Sequence, residues 1–228
     1  WYEKAKFIPD NTQTDDFFGE IVSISGDYAI VGSMGDDTYK GGAYIFTRVT
    51  DTTWTKQKIV ADIRVNNDQF GNSVSLSGDY AIVGANGKDS STGAAYIYKR
   101  NTSTGVWGDE QKIQASDKQG SDNFGFSVAI DGDYAIVGAY GEDVTGDDNR
   151  GAAYIFKRDG TTWSEQQKIT ADDRQTQDNF GYSVSISGDY AIVGANKEDP
   201  GGTADAGSAY VFKRSGTTWS QIAKLVAS

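Results

Sequence analysis

The segment Gly-Asp-Tyr-Ala-Ile-Val-Gly-Ala occurs at 78–85, 132–139 and 188–195, and at 26–33 with serine in the last position. Each copy starts eight residues after the phenylalanine of a Phe-Gly pair, and it is followed by a Gly-x-Ala-Tyr segment and then by a single tryptophan. Successive Phe-Gly pairs lie 52, 54 and 56 residues apart. This period is too long for a leucine-rich or helical-hairpin repeat and suits a four-stranded unit. The sequence therefore predicts a chain of β-propeller blades.

The composition supports many short strands and excludes several classes of function. Glycine is abundant, at 28 residues, whereas proline occurs only twice, which is typical of short strands joined by tight turns. The formal net charge of −11 argues against nucleic acid as a partner. Cysteine and histidine are both absent, which removes disulfides, thiol nucleophiles, zinc-thiolate sites and the usual general base. No apolar run is long enough to predict a transmembrane segment.

One repeat shows how a blade forms. Residues 180–187 alternate between small or polar and apolar side chains, as a strand with one packed face does, and Gly188-Asp189 then makes a tight turn into 190–195. A third strand follows over 207–214, and Trp219 opens a fourth. We therefore predict an all-β, single repeat domain over 1–228 with four complete, four-stranded antiparallel blades. The predicted blades are 17–60, 69–114, 123–170 and 179–227.

One predicted strand has no blade of its own. Residues 1–7 match the start of a fourth strand (compare Trp54–Val60), yet no strands one to three precede them. The fourth blade already has its outer strand from Trp219. We therefore expect an orphan outer strand at 1–7. The chain is then an excised segment of a longer array, or chains complete one another, or one terminal strand lies at a free edge.

The repeats resemble the FG-GAP family, in which propellers form the head of integrin alpha chains and occur in extracellular bacterial, algal and fungal proteins, including lectin-like ones. The resemblance covers all four units through Phe-Gly, Val-Gly-Ala and Gly-x-Ala-Tyr. It implies an extracellular or cell-surface protein, and rings in this family usually have seven blades. Calcium-holding members use alternating aspartates between strands one and two. That connection is only Asp-Gly-Asp at 131–133, too short to wrap an ion, so the family's calcium site is not carried over.

Recurrent aspartates cluster on one end of the predicted blades, the end where the fourth-to-first and second-to-third connections emerge, which we call the loop face. Carboxylates there could bind Ca²⁺ between loops, accept hydrogen bonds from sugar hydroxyls, or cap turns. The candidate metal ligands are Asp10, Asp62, Asp117 and Asp172 in the first kind of connection and Asp37, Asp89, Asp143 and Asp199 in the second. A further set, predicted above all to cap turns, is Asp16, Asp68, Asp122 and Asp178.

The opposite end, which we call the hairpin face, carries Lys-Arg pairs and a second set of aspartates. Ion pairs between them are the simplest interpretation; the alternative is that an acidic loop face and a basic hairpin face let molecules stack, which salt would weaken. The basic residues are Arg48, Lys99, Arg100, Lys157, Arg158, Lys213 and Arg214, and the aspartates are Asp27, Asp79, Asp133 and Asp189. Five tryptophans are predicted to pack rather than to bind sugars, namely Trp1, Trp54, Trp107, Trp163 and Trp219.

Aromatic residues that break the repeat are better ligand candidates than those the fold demands. Tyr39 and Tyr140, in second-to-third connections, are the two we select. We predict a non-catalytic recognition or adhesion module that binds a carbohydrate or an extracellular protein on the loop face. The alternative is a structural building block that assembles chain to chain through its surplus strand. A polysaccharide-acting enzyme ranks third, because no blade carries a unique Asp/Glu pair.

Overall fold

The computed structural model describes residues 3–9, 11–143 and 148–227. It contains four separate sheets of four antiparallel strands each, and in every sheet the strands lie in chain order. The prediction of an all-β chain with four propeller blades is thus confirmed.

The strand bounds fall inside the four predicted blades. Blade 1 comprises β1 (Val22–Ser25), β2 (Tyr28–Ser33), β3 (Gly42–Arg48) and β4 (Trp54–Ile59). Blade 2 comprises β5 (Ser73–Ser77), β6 (Tyr80–Ala85), β7 (Ala94–Arg100) and β8 (Trp107–Ile113). Blade 3 comprises β9 (Ser127–Asp131), β10 (Tyr134–Ala139), β11 (Ala152–Asp159) and β12 (Thr162–Ile169). Blade 4 comprises β13 (Phe180–Ser187), β14 (Tyr190–Ala195), β15 (Ser208–Ser215) and β16 (Thr218–Val226).

Short helical turns occupy three of the connections between second and third strands. They are α1 (Asp36–Tyr39), α2 (Lys88–Ser91) and a 3-10 turn at Pro200–Gly202. Within α1 the backbone of Asp37 and Thr38 has positive φ, at 53° and 61°, so this turn is not a regular right-handed helix.

The Tyr-Ala-Ile-Val segments form the second strand of every blade. Consecutive aliphatic residues in a strand point to opposite faces, so this strand contributes to packing on both sides of its sheet. In blade 2 the hairpin turns at Gly78, whose φ of 55° favours glycine, and Val74 then pairs with Val83. Ile82 of this strand is fully buried in the interface with blade 3, whereas Val83 is buried in the interface with blade 1. The core therefore consists of separate hydrophobic clusters, one between each pair of neighbouring blades, as expected of a repeat array.

The Phe-Gly pairs fasten each blade to the one before it. Phe70 lies in a parallel bridge with Gly41 of blade 1, and the same bridge recurs at Phe124 and Phe180. A Cβ atom on Gly71 would lie 2.2 Å from the carbonyl oxygen of Gly42, so backbone packs directly on backbone here. The two small motifs, Phe-Gly and Val-Gly-Ala, are thus explained by close approach between blades.

The four blades form an open array among the described residues. Neighbouring first strands contact one another from β1 to β5, β5 to β9 and β9 to β13. The outer faces of the two end blades are exposed, with Ile24 of blade 1 exposed by 71% and Ile192 of blade 4 by 39%. The sheets therefore do not close into a ring.

The predicted orphan strand at 1–7 is wrong for the residues described, because 3–9 belong to no sheet. A strand needs a neighbour for its backbone hydrogen bonds, and none of the four described sheets pairs with this segment. The segment instead packs on blade 1, where the ring of Phe7 stacks on Phe46 at 4.1 Å and meets Trp54 at 5.2 Å. Lys56 donates a hydrogen bond to the carbonyl oxygen of Ile8 at 3.1 Å.

Candidate functional site

The first strands of blades 2 to 4 and the segment just before β1 line a groove that opens on the loop face. It has a volume of about 640 Å³ and is lined by residues of every blade. Side chains of the first strands, such as Ser73, Ser127 and Ser183, form its walls. We call it the axial groove.

The mouth of the axial groove gathers positions at which the repeats differ. The residue after each Phe-Gly pair varies, as does the residue after each Val-Gly-Ala or Val-Gly-Ser, although the motifs themselves recur. Six of these eight positions line the groove, namely Glu20, Met34, Asn72, Asn86, Phe126 and Tyr182. A fold built from repeats does not require such variation, so the clustering marks this surface as the best candidate for specific binding.

An aromatic cluster lies on one side of the mouth. Phe126 lies 4.6 Å from Tyr140 and 4.9 Å from Tyr182 between ring centroids, and the two tyrosines are 5.8 Å apart. Tyr182 is 40% exposed, so part of its ring is open to solvent. Burial, and then the neighbouring Tyr182, raises the pKa of the Tyr140 phenol, which therefore remains a hydrogen-bond donor at neutral pH.

Two asparagines lie on blade 2 at the same mouth. The amide nitrogen of Asn72 donates to the carbonyl oxygen of Phe126 at 3.0 Å, and its oxygen accepts from the Asn86 backbone N–H at 3.4 Å. The side-chain oxygen of Asn86 is buried without a hydrogen-bond partner among the described residues. A buried acceptor left unpaired costs free energy, and rotation of the Asn86 amide into the groove would let it pair with a ligand hydroxyl or N–H.

The two tyrosines selected from the sequence have different surroundings. Tyr140 contacts two residues of the groove, whereas the ring of Tyr39 lies against Phe17 at 6.2 Å and does not line the groove. Tyr39 lies in α1 with φ of 59°. The role of both as ligand contacts stays a prediction, with Tyr140 placed at the stronger candidate site.

The candidate metal ligands are held mostly by cations or backbone. Asp37 forms ion pairs with Lys40 at 3.2 Å and Arg64 at 3.7 Å, and the Lys40 hydrogen bond lowers the pKa of Asp37. Asp89 pairs with Lys112 at 3.3 Å. Asp117 accepts hydrogen bonds from Lys168 at 2.6 Å and from the Tyr154 hydroxyl at 2.8 Å. Lysines at the ends of the fourth strands thus neutralise much of the loop face.

Of the remaining candidates, two are held by backbone N–H groups. Asp143 accepts from the backbone N–H of Asn149, and Asp199 accepts from that of Asp205 at 2.7 Å. Asp62 and Asp172 lie exposed at the start of their connections, while Asp10 lies outside the described residues. Within the described part of the chain, no three acidic side chains form a group able to hold a metal ion. Calcium binding stays a prediction without a preformed site.

The third set of loop-face aspartates caps turns. Each accepts a hydrogen bond from the backbone N–H three residues earlier, at 2.5 to 2.8 Å. They are Asp16, Asp68, Asp122 and Asp178, and all four are buried. Their surroundings differ by blade. In blade 2, Asp68 forms a buried ion pair with Lys88 at 2.8 Å. In blade 3, Asp122 faces the carboxylate of Glu142 instead of a cation.

Burial raises the pKa of Asp122 to about 6, and the carboxylates of Glu142, Asp117 and Asp143 add to the shift. One of its oxygens has no hydrogen-bond partner among the described residues. This carboxyl is therefore partly protonated near pH 6.

On the hairpin face, ion pairs form as expected. Arg100 binds Asp79 at 2.6 Å, and Arg48, Arg158 and Arg214 bind the corresponding aspartates of their own blades. Tryptophans also pack as predicted where the structure describes them. Trp107, Trp163 and Trp219 are at most 3% exposed, Trp54 is covered in part by Phe7, and Trp1 lies outside the described residues.

The four blades, the Phe-Gly bridges and the contacts between neighbouring first strands define the protein as a repeat protein of the β-propeller class. The family model for the FG-GAP repeat matches residues 1–46, 54–98, 107–156 and 163–212, so the chain belongs to the FG-GAP repeat family. FG-GAP repeats are typical of extracellular proteins and suggest a ligand-binding module. No curated protein matches the chain. Among the described residues, no helix has the length and apolar character needed to span a bilayer.

Proposed function

We propose that this protein is a non-catalytic, extracellular recognition module that binds carbohydrate at the mouth of the axial groove. The observation that carries the proposal is the aromatic cluster of Phe126, Tyr140 and Tyr182 beside the unpaired Asn86 oxygen. Aromatic faces cover the apolar face of a sugar ring, and the Asn86 amide, once rotated into the groove, would bind one of its hydroxyls.

The electrostatics favour a neutral or cationic sugar. The chain carries a formal net charge of −11, and Glu20 lies at the mouth of the groove. An anionic glycan would be repelled by this field, whereas a neutral hexose or an amino sugar would not. A protein ligand remains the alternative from the sequence, but the groove is concave and lined by side chains of four blades, which suits a small ring better than a broad, flat partner.

The test compares two tyrosines of blade 4 that are similarly exposed. Tyr182, at 40%, lies in the aromatic cluster, and Tyr190, at 47%, lies at the hairpin face. We expect the wild-type chain to bind neutral or amino sugars saturably on a glycan array and in calorimetry. Tyr182→Ala should weaken that binding by about tenfold, as loss of an aromatic contact does, whereas Tyr190→Ala should not.

A second variant separates the polar contribution. Asn86→Leu removes the unpaired acceptor while keeping a side chain of similar size, and it should also weaken sugar binding. The proposal fails if the chain binds no glycan, if Tyr190→Ala weakens binding as much as Tyr182→Ala, or if saturable binding is found only on proteins that carry no sugar.

A further inference from the structure

The two end faces of the array expose residues that are buried in every internal interface. Ile24 of β1 is 71% exposed, whereas Leu76 at the same position of β5 is only 6% exposed. Ile192 of β14 is 39% exposed, whereas Ile136 at the same position of β10 is fully buried. Within the described array, the end faces therefore correspond to the two sides of an internal blade interface.

The internal interfaces share a clasp between blades. Tyr28 of blade 1 lies between Trp107 and Arg100 of blade 2, with ring centroids 5.6 Å apart and the guanidinium 5.0 Å from the Tyr28 ring. The same contacts recur at the other two interfaces. The Tyr80 ring lies 5.7 Å from the Trp163 ring and 4.7 Å from the Arg158 guanidinium. The Tyr134 ring lies 5.8 Å from the Trp219 ring and 4.7 Å from the Arg214 guanidinium.

Hydroxyl groups form a second link at the first two interfaces. Ser23 accepts from the backbone N–H of Leu76 at 3.2 Å, and Ser25 accepts from that of Gly78 at 3.4 Å. Serines of blade 2 do the same for blade 3, at 3.2 and 3.1 Å. The first strands of blades 2 and 3 thus pair backbone N–H groups of their free edge with serine side chains of the preceding blade.

The two end faces carry complementary residues of the blade interface. Blade 4 offers Tyr190, 47% exposed, together with Ser185 and Ser187 at the positions of the hydroxyl acceptors. Blade 1 offers Trp54 and Arg48 at the positions of the clasp. The exposed Tyr190 of blade 4 and the Trp54–Arg48 pair of blade 1 therefore have the same residue types as the two sides of each internal interface.

We propose that the chain self-associates head to tail, with blade 4 of one molecule docked on blade 1 of a second copy as a further blade interface. The contact is heterologous, so two copies close a ring if the rotation allows it, and otherwise the copies form a chain. This proposal is independent of ligand binding in the axial groove.

The segment 3–9 competes with this contact. Phe7 packs with Phe46 and Trp54 on the outer face of blade 1. At the interface between blades 1 and 2, Ile59 of blade 1 takes the equivalent place, in the cluster that contains the corresponding residues of blade 2. In blade 4, Leu225 pairs with Ala209 as Ile59 pairs with Ala43, so Leu225 would enter the place of Phe7. A docked second copy therefore displaces the N-terminal segment.

One departure from the repeat weakens the proposed interface. Gln57, Gln111 and Gln167 each exchange two hydrogen bonds with the tryptophan of the next blade, at 2.7 to 2.9 Å. Blade 4 has Ala223 at this position. The register shows the equivalence, because Ala223 pairs with Val211 in blade 4 as Gln167 pairs with Ile155 in blade 3. Together with the competing segment, this loss makes the association reversible and concentration-dependent.

The test is sedimentation equilibrium of the 228-residue chain over a range of concentrations. We expect the wild-type mass to rise above 24.5 kDa as concentration increases. Ile24→Asp and Ile192→Asp each spoil one face and should both shift the equilibrium toward monomer by at least tenfold. A mixture of the two should associate, because each variant keeps the face that the other lacks. Ile63→Asp, at a residue 77% exposed in a connection, is the matched control and should behave as wild type.

Further variants make the result decisive. Phe7→Ala should strengthen association, since it weakens the competitor. Tyr190→Ala should weaken it, which provides a second test of the blade 4 face if Ile192→Asp does not fold, as judged by circular dichroism. A wild-type chain that remains monomeric at its highest soluble concentration overturns the proposal. So does a mixture of the two aspartate variants that stays monomeric while the wild type associates.

Discussion

At the scale of single residues, the glycine of the Val-Gly-Ala or Val-Gly-Ser motif in blades 1 to 3 is required by the next blade. A Cβ atom on Gly84 would lie 2.0 Å from the carbonyl oxygen of Gly125 in blade 3. On Gly194 of blade 4, which no following blade covers, it would meet only Ser183, whose hydroxyl oxygen lies at 2.4 Å. The same motif is thus under different steric constraint in different blades.

We therefore predict that Gly84→Ala lowers the free energy of unfolding by about 3 kcal/mol, since the backbone of two blades must separate. Gly194→Ala should cost less than about 1 kcal/mol, because a serine side chain can rotate away. Urea denaturation of both variants, followed by circular dichroism, measures the difference. Equal losses in the two variants would show that the glycine is required by its own strand and not by the blade interface.

Asp122 provides a prediction for pH dependence. Its pKa is raised to about 6 in the folded protein by burial and nearby carboxylates, against an ordinary value of 3.8. The folded state therefore binds more protons than the unfolded state between these values, and stability from this group falls as pH rises from 4 to 6. Asp122→Asn cannot titrate, so its stability relative to wild type should improve by about 1–2 kcal/mol between pH 4 and 7.

Asp68→Asn is the matched control for this experiment. The same cap in blade 2 forms a buried ion pair with Lys88, so its removal leaves a buried cation without its carboxylate. This variant should be less stable than wild type at pH 7, whereas Asp122→Asn should gain stability relative to wild type as the pH rises. Urea denaturation at several pH values compares the two. A wild type and an Asp122→Asn variant with parallel pH profiles would contradict the shifted pKa.

At the scale of elements, the sequence was sufficient to predict the strands that recur in every blade. The Tyr-Ala-Ile-Val segments, the Gly-Asp turns and the strands before the Lys-Arg pairs all form as expected, because alternation and glycine turns are local signals. The segment at 1–7 was predicted wrongly for the opposite reason. Strand pairing is not local, and residues 3–9 have the pattern of an outer strand without a sheet to join.

The candidate site was predictable only in part. Tyr140 was selected because it breaks the repeat, but Phe126 and Tyr182, which it contacts, were not. A comparison of the single position after each Phe-Gly pair would have found both, together with Glu20 and Asn72. That these positions meet at one mouth depends on how the four blades are arranged around the axial groove, which the spacing of motifs alone does not give.

At the scale of the whole molecule, the open array makes stability uneven. Blades 2 and 3 bury both faces against neighbours, whereas blade 4 buries only one, and β14 leaves Ile192 exposed by 39%. In a repeat array, stability is approximately the sum of terms for each unit and each interface, so an end unit opens more readily than a central one. Blade 1 is intermediate, because Phe7 covers part of its outer face.

Hydrogen exchange followed by mass spectrometry measures this gradient. At concentrations where the chain is monomeric, peptides from β14 should exchange at least about tenfold faster than the identical Tyr-Ala-Ile-Val-Gly-Ala sequences of β6 and β10. These strands share one sequence, so intrinsic exchange rates match and only burial differs. Uniform exchange across the four blades would mean that the array opens as a single cooperative unit. Raising the concentration should slow exchange in β14 and β1 but not in β6 or β10, because only the end strands gain a neighbour when copies dock.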